Sequence, residues 1–195
     1  MPSIDVKKKR IDAKVVYYGP GRSGKTENLR YIYEHLREDQ RGRFASLPTK
    51  ADPDLSIDVL PVKFGTLIGF ETVFHLCAGP GRAFSNNTRK LLLRDSDGIV
   101  FVADSQPGRQ EANIDSLLEL EHNLREYGVQ LRGIPHVIEY GKADLSDALS
   151  PDQLRAELNR YGVPDFAAST RTGQGIMDAL RTVVDGVSKD LRRRL

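Results

Sequence analysis

Residues 19–26 read Gly19-Pro20-Gly21-Arg22-Ser23-Gly24-Lys25-Thr26, which fits the pattern G-x-x-x-x-G-K-[ST]. The chemistry needs these residue types at this spacing. Glycines let the backbone curl until several N–H groups point inward as a nest for an anion. A helix opening at the end of the run adds partial positive charge at its N-terminus. Lys25 then reaches the β- and γ-phosphates of a nucleotide, and the Thr26 hydroxyl is placed to ligate Mg²⁺. The bland alternative is a glycine-rich turn with no ligand. A strand before the run and a helix after it are the context that favours phosphate binding.

That context is present. Residues 13–18 form a short β-rich run ending at Gly19, and residues 25–36 carry Leu29, Ile32, Tyr33 and Leu36 at helical spacing. Residues 55–64 read as a strand, and Pro61 inside it predicts a sheet edge, because proline cannot donate to a ladder. Residues 72–76 read as its antiparallel neighbour. The run Gly98-Ile99-Val100-Phe101-Val102-Ala103 is apolar throughout, as suits a strand buried on both faces. A helix follows over 112–127, with Leu117, Leu120, Leu124 and Tyr127 on one face, then a strand over 136–140. Ser150-Pro151-Asp152-Gln153 reads as a capping box with proline at the first helical position, opening a helix to residue 161. A short strand over 166–169 and a helix over 176–191 close the chain. This alternation predicts an α/β fold with a mixed, mostly parallel sheet of six strands.

The chain of 195 residues suits one domain over 1–195, since two halves would each have a small core. Lys+Arg number 29 against 27 Asp+Glu, a balance that removes the global electrostatic case for nucleic-acid binding. No apolar run approaches the ~20 residues that span a bilayer, and no lipidation motif gives a stable membrane anchor. The lone Cys77 reads as a core thiol, and excludes an internal disulfide. Two basic clusters remain, Lys7-Lys8-Lys9-Arg10 and Arg192-Arg193-Arg194. The ordinary reading is a solvated surface; the sharper one is a weak contact with an acidic partner or a membrane surface.

Two later loops follow strands at the end where open α/β sheets bind ligands: Gly141-Lys142-Ala143-Asp144 and Ser169-Thr170-Arg171-Thr172-Gly173-Gln174-Gly175. With the glycine loop, this arrangement resembles the Ras-like small GTPases, in which N-K-x-D and S-A-K motifs hold guanine. The resemblance sharpens to the bacterial MglA-type gliding-motility GTPases. It is carried by Val15-Val16-Tyr17-Tyr18-Gly19-Pro20-Gly21, Asp58-Val59-Leu60-Pro61, Gly69-Phe70-Glu71-Thr72, Phe74-His75-Leu76, Pro80-Gly81, Arg89-Lys90-Leu91-Leu92-Leu93 and the run from Asp97 to Ser105.

The resemblance implies a Ras-like P-loop NTPase fold of three α/β/α layers and a nucleotide switch using GTP/GDP and Mg²⁺. It implies a cytoplasmic protein recruited to a cell pole. Its implied partners are a roadblock-type, MglB-like regulator or polarity and motility proteins, engaged through residues 49–62 and 79–90. The implied nucleotide-binding residues are Gly19, Gly21, Arg22, Ser23, Gly24, Lys25, Thr26, Glu27, Lys142, Asp144, Ser169, Thr170 and Arg171, with Thr26 on the metal.

The sequence departs from the family at functional positions. Gly141 stands where the base-loop asparagine belongs, while Asp144 is kept. Arg82 follows Pro80-Gly81 where the family has the glutamine that orients water; arginine is donor-only and cannot accept from that water. Pro53 and Asp54 stand where MglA-type proteins have a self-supplied arginine finger and the switch threonine, with Thr49 as a substitute metal ligand. Ala78 holds the position of the Mg-linked aspartate of Ras-like proteins. Glu27 either turns to solvent or opposes phosphate binding. These departures point to a pseudo-GTPase binding module; the alternative is a slow, active GTPase that cycles with a roadblock-type partner. A small P-loop kinase is weaker, for want of an Arg-rich lid.

Overall fold

The computed structural model describes residues 2–48, 56–79 and 86–194, with the backbone alone at 86–88. One mixed sheet runs through the chain in the order β3-β4-β5-β2-β6-β7-β8, with β1 paired to β2. The strands are β1 (Ser3–Asp5), β2 (Arg10–Tyr18), β3 (Ala45–Pro48), β4 (Ser56–Leu67), β5 (Phe70–Ala78), β6 (Gly98–Asp104), β7 (His136–Gly141) and β8 (Asp165–Ala167). Strands β5, β2, β6, β7 and β8 are parallel, and β3 and β4 add antiparallel pairs. Among the described residues the sheet has eight strands rather than six. Both extra ones, Ser3-Ile4-Asp5 and Ala45-Ser46-Leu47-Pro48, are too short for their alternation to stand out from chance.

The edge expectation for β4 is also corrected, because β3 covers Ser56–Val59. Pro61 lies just past that pairing. Its carbonyl accepts from Gly42 N–H at 2.8 Å, on the side away from β5. Within a strand, a residue's nitrogen and carbonyl share a side, so the missing N–H costs no bond to β5.

The helices are α1 (Lys25–His35), α2 (Asn86–Leu93), α3 (Gln110–Glu126), α4 (Pro151–Leu158) and α5 (Ile176–Arg194). The Ser150 capping box forms, with Gln153 N–H donating to the Ser150 hydroxyl and Ser150 N–H to the Gln153 side chain. Alternation along β2 sorts the core into two layers. Ile11, Ala13, Val15 and Tyr17 pack with α1 and α5. Val16 and Tyr18 pack with the α3 and α4 side. Every residue of β6 is buried, as its apolar run requires. Cys77 is a buried free thiol, its pKa raised by burial.

One buried group breaks the apolar pattern. Glu139 of β7 is 0 % exposed, and neither carboxylate oxygen has a hydrogen bond of normal geometry. Burial pushes its pKa up to about 8, with Asn28 of α1 acting slightly the other way. A carboxylic acid in that position folds most comfortably neutral.

Candidate nucleotide-binding site

The C-terminal end of β2 runs directly into the glycine loop. Gly19 has φ +150°, and a Cβ there would lie 2.1 Å from the Val102 carbonyl oxygen. Gly24 has φ +100° and begins α1 with no side-chain cap. The first N–H groups of α1 are thus left for an anion. Lys25 is buried and folds back over the loop, donating to the carbonyls of Gly19 at 3.0 Å and Pro20 at 2.7 Å. Burial, then the neighbouring Arg89, depress its pKa from 10.5 to about 8.

Thr26 lies on the first turn of α1 and donates its hydroxyl to Asp58 Oδ2 at 2.7 Å, while Ser46 donates to Asp58 Oδ1 at 2.5 Å. Asp58 is buried and stands directly opposite Ala78 in the β4–β5 register. A carboxylate partner for Thr26 thus comes from the strand beside Ala78. Sequence reasoning did not single out this role of Asp58; the available signal was an aspartate flanked by Ile57 and the apolar run Val59-Leu60.

The base loop follows β7. Lys142 adopts φ +62°, a left-handed conformation unusual for a side-chain-bearing residue. Its ammonium donates to Asp104 Oδ2 at 2.8 Å and Gln106 Oε1 at 2.6 Å. Arg109, at the start of α3, approaches the same Asp104 at 3.4 Å and donates to the glycine-loop carbonyl of Gly21 at 2.7 Å. Asp104, which is buried, therefore joins the base loop to the glycine loop. In the resemblance this tie belongs to the asparagine replaced by Gly141. The roles of Asp104, Gln106 and Arg109 were missed in the sequence, since partners from two elements carry them.

Asp144 accepts from Arg171 Nε at 2.7 Å, and hydrogen bonding from Ser169 and Arg171 holds its carboxyl below the usual range. It is therefore an ionised acceptor with lone pairs to share. Ser169 shapes the second loop by accepting from Thr172 N–H at its hydroxyl and from Gly173 N–H at its carbonyl.

A cavity of about 340 Å³ brings Arg22, Ser23, Gly24, Glu27, Lys142 and Thr170 together, with Asn28, Gly141, Ala168 and Ile176. The side chain of Glu27 is 55 % exposed and pairs loosely with Arg30 at 3.7 Å, which favours the solvent-facing reading over an inward one. A second hollow of about 490 Å³ beside the loop is flanked by Arg22, Arg89 and Arg109. Arg89 is ion-paired with Glu119, and Arg109 is engaged as above. A further hollow of about 530 Å³ lies between the start of β7 and α5 and faces neither loop. Thr49, Pro53, Asp54, Pro80, Gly81 and Arg82 lie outside the described residues, as do parts of the surfaces 49–62 and 79–90.

Substituting Gly141→Asn tests the altered base loop. A Cβ at this position would stand 3.0 Å from the Ala103 carbonyl oxygen and 3.1 Å from that of Ser23, both backbone atoms. The side chain must therefore push the base loop by a few tenths of an ångström. Overpacking of this kind costs ~1–3 kcal/mol. The variant should melt at a lower temperature, yet show a higher ratio of GDP to ADP affinity by calorimetry. An unchanged ratio would show that position 141 does not shape the base site.

No family model matches the chain. It is similar to the Mutual gliding-motility protein MglA of Myxococcus xanthus (strain DK1622), with 44 % identity over 193 residues that cover 99 % of each protein. Identity at this level across the full sheet, both loops and all five helices carries the Ras-like P-loop fold with it, and the chain belongs to the MglA family of gliding-motility proteins.

Proposed function

We propose that the chain is a guanine-nucleotide-binding protein that regulates bacterial motility or polarity and hydrolyses GTP negligibly, a pseudo-GTPase. The observation that carries nucleotide binding is the glycine loop itself, with Lys25 held over it and the uncapped start of α1 behind it. Asp144 and the stem of Lys142 supply recognition and cover for a guanine ring. Ser23, Gly24 and Thr26 face the phosphates, with Ser169, Thr170 and Arg171 closing the base side. Its polarity and motility partners, including a roadblock-type regulator, would contact residues 49–62 and 79–90, and its place is the cytoplasm, with recruitment to a pole.

The donor set fits Mg²⁺, a hard cation that takes few protein ligands and keeps several waters. Thr26 would hold it with Asp58 one hydrogen bond behind, and the ion would neutralise phosphate charge. Loss of hydrolysis follows from Arg82, Pro53 and Asp54. Of the arginines beside the loop, Arg89 and Arg109 are each committed to a carboxylate. The Thr26–Asp58 pair favours a second reading, a slow GTPase that cycles with its partner.

The test is to denature the purified protein and identify the released nucleotide by chromatography. GDP or GTP is the expected result. Adenine nucleotide, or none even after loading with GDP, would overturn the proposal.

A further inference from the structure

The end of the sheet opposite the glycine loop carries two hairpin tips. One is the turn between β1 and β2, where Val6 is 70 % exposed beside the exposed Lys7, Lys8 and Lys9. The other is the turn between β4 and β5, closed by Leu67 opposite Phe70, with Ile68 at φ +52° and Gly69 at φ +77°. Two consecutive positive φ angles make a type I′ turn, whose first position suits asparagine. A β-branched residue there is an outlier. Ile68 is nonetheless 62 % exposed, so no burial offsets the strain. Such outliers mark places where function overrides local preference.

The tips are adjacent: Glu71 N–H donates to the Lys9 carbonyl at 2.8 Å. The C-terminal end of α5 reaches the same region, since Arg192 lines a groove with Phe64, Thr66 and Leu67 of the second hairpin. Among the described residues, Lys7, Lys9, Arg192 and Arg193 form no ion pair. Four carboxylates of this end are engaged: Asp5 with Lys8, Asp12 with Arg10 and His75, Glu71 with Lys63, and Asp190 with Arg194. The exposed Asp185, in the groove with Arg192, forms no ion pair among the described residues and is outnumbered there by the basic tips. Asp97 accepts from Lys14 N–H.

We propose that this end docks reversibly on an anionic lipid surface, with Val6 and Ile68 entering the headgroup region and Lys7, Lys8, Lys9, Arg192 and Arg193 facing lipid phosphates. Apolar tips among exposed cations are the chemistry of interfacial binding. Charge alone would also recruit an acidic protein, but Val6 and Ile68, exposed apolar side chains on neighbouring hairpin tips, favour a lipid surface. Among the described residues no helix is long and apolar enough to cross a membrane, so the contact is peripheral.

The test is sedimentation of the full chain with vesicles of phosphatidylcholine alone, or with phosphatidylglycerol added to about a third of the lipid. Binding should require phosphatidylglycerol and weaken as salt is raised from about 0.05 to about 0.3 M. Lys7→Ala/Lys9→Ala should weaken it about twenty-five-fold, at about fivefold per cation. Ile68→Asn separates function from architecture: it should weaken vesicle binding about fivefold while raising the thermal midpoint, because asparagine relieves the turn. Equal binding to neutral vesicles, no binding at low salt, or variants that bind like wild type would overturn the proposal. So would a lower midpoint for Ile68→Asn. Capture by polyglutamate without capture by vesicles would replace the lipid with an acidic protein. None of these outcomes depends on which nucleotide the protein holds.

Discussion

Restoring Pro53→Arg, Asp54→Thr and Arg82→Gln together should raise single-turnover phosphate release, at saturating GTP and Mg²⁺, by about 10³-fold or more over the wild-type chain. The wild-type rate itself should be negligible. Hydrolysis in this fold needs a group that orients water, and Arg82 has donors but no acceptor for it. It also needs positive charge on the transferring phosphoryl group, a contribution worth ~10³–10⁵ in rate when an arginine supplies it. Each single restoration leaves the other requirement unmet and should recover little. The triple variant should exceed the sum of the singles, since the three residues act on one transition state. Wild-type turnover at the level of ordinary small GTPases, on addition of a roadblock-type partner, would reinstate the cycling GTPase.

Lys25→Ala should weaken nucleotide binding between tenfold and a hundredfold, because a charge-assisted contact to phosphate contributes ~1.5–3 kcal/mol. The wild-type protein also carries a pH signature. In the free protein burial and Arg89 bring Lys25 to about 8. A bound phosphate favours the charged amine, so its pKa rises on binding. Below pH 8 the ammonium is already in place. Above it, binding must take up a proton, and affinity falls as pH rises. Titrations by calorimetry at pH 7 and pH 9 should show that loss in the wild type and a flat profile in Lys25→Ala. A parallel fall in both proteins would assign the effect to another group.

Much of the fold was readable because strand and helix periods differ. The buried run of β6, the apolar face of α3 and the Ser150 box need only local sequence. Helix α2 escaped because its eight residues begin Asn-Asn-Thr-Arg-Lys and offer barely one apolar turn. The glycine loop was legible for a stronger reason: its geometry excludes a side chain at Gly19. What stayed hidden were contacts across elements. Asp58 reaches Thr26 through the β4–β5 register, and Lys142 joins Arg109 at Asp104 from 38 positions along the chain. Glu139 was silent for a related reason, since a single carboxylate in a strand does not announce which neighbours will bury it.

The nine residues of β2 separate the two hairpin tips from the glycine loop. At about 3.3 Å per residue that is about 30 Å. The Debye length at physiological salt is about 8 Å, so the charge of a γ-phosphate is not felt among the lysines at the far end. Where the molecule rests and what it reports become separable properties: the address is written in residues that nucleotide leaves untouched, and the message stands on the opposite side, facing solution. Exchange of the nucleotide would alter who is recruited without altering where, and mutations in the basic tips would misplace an otherwise competent signal.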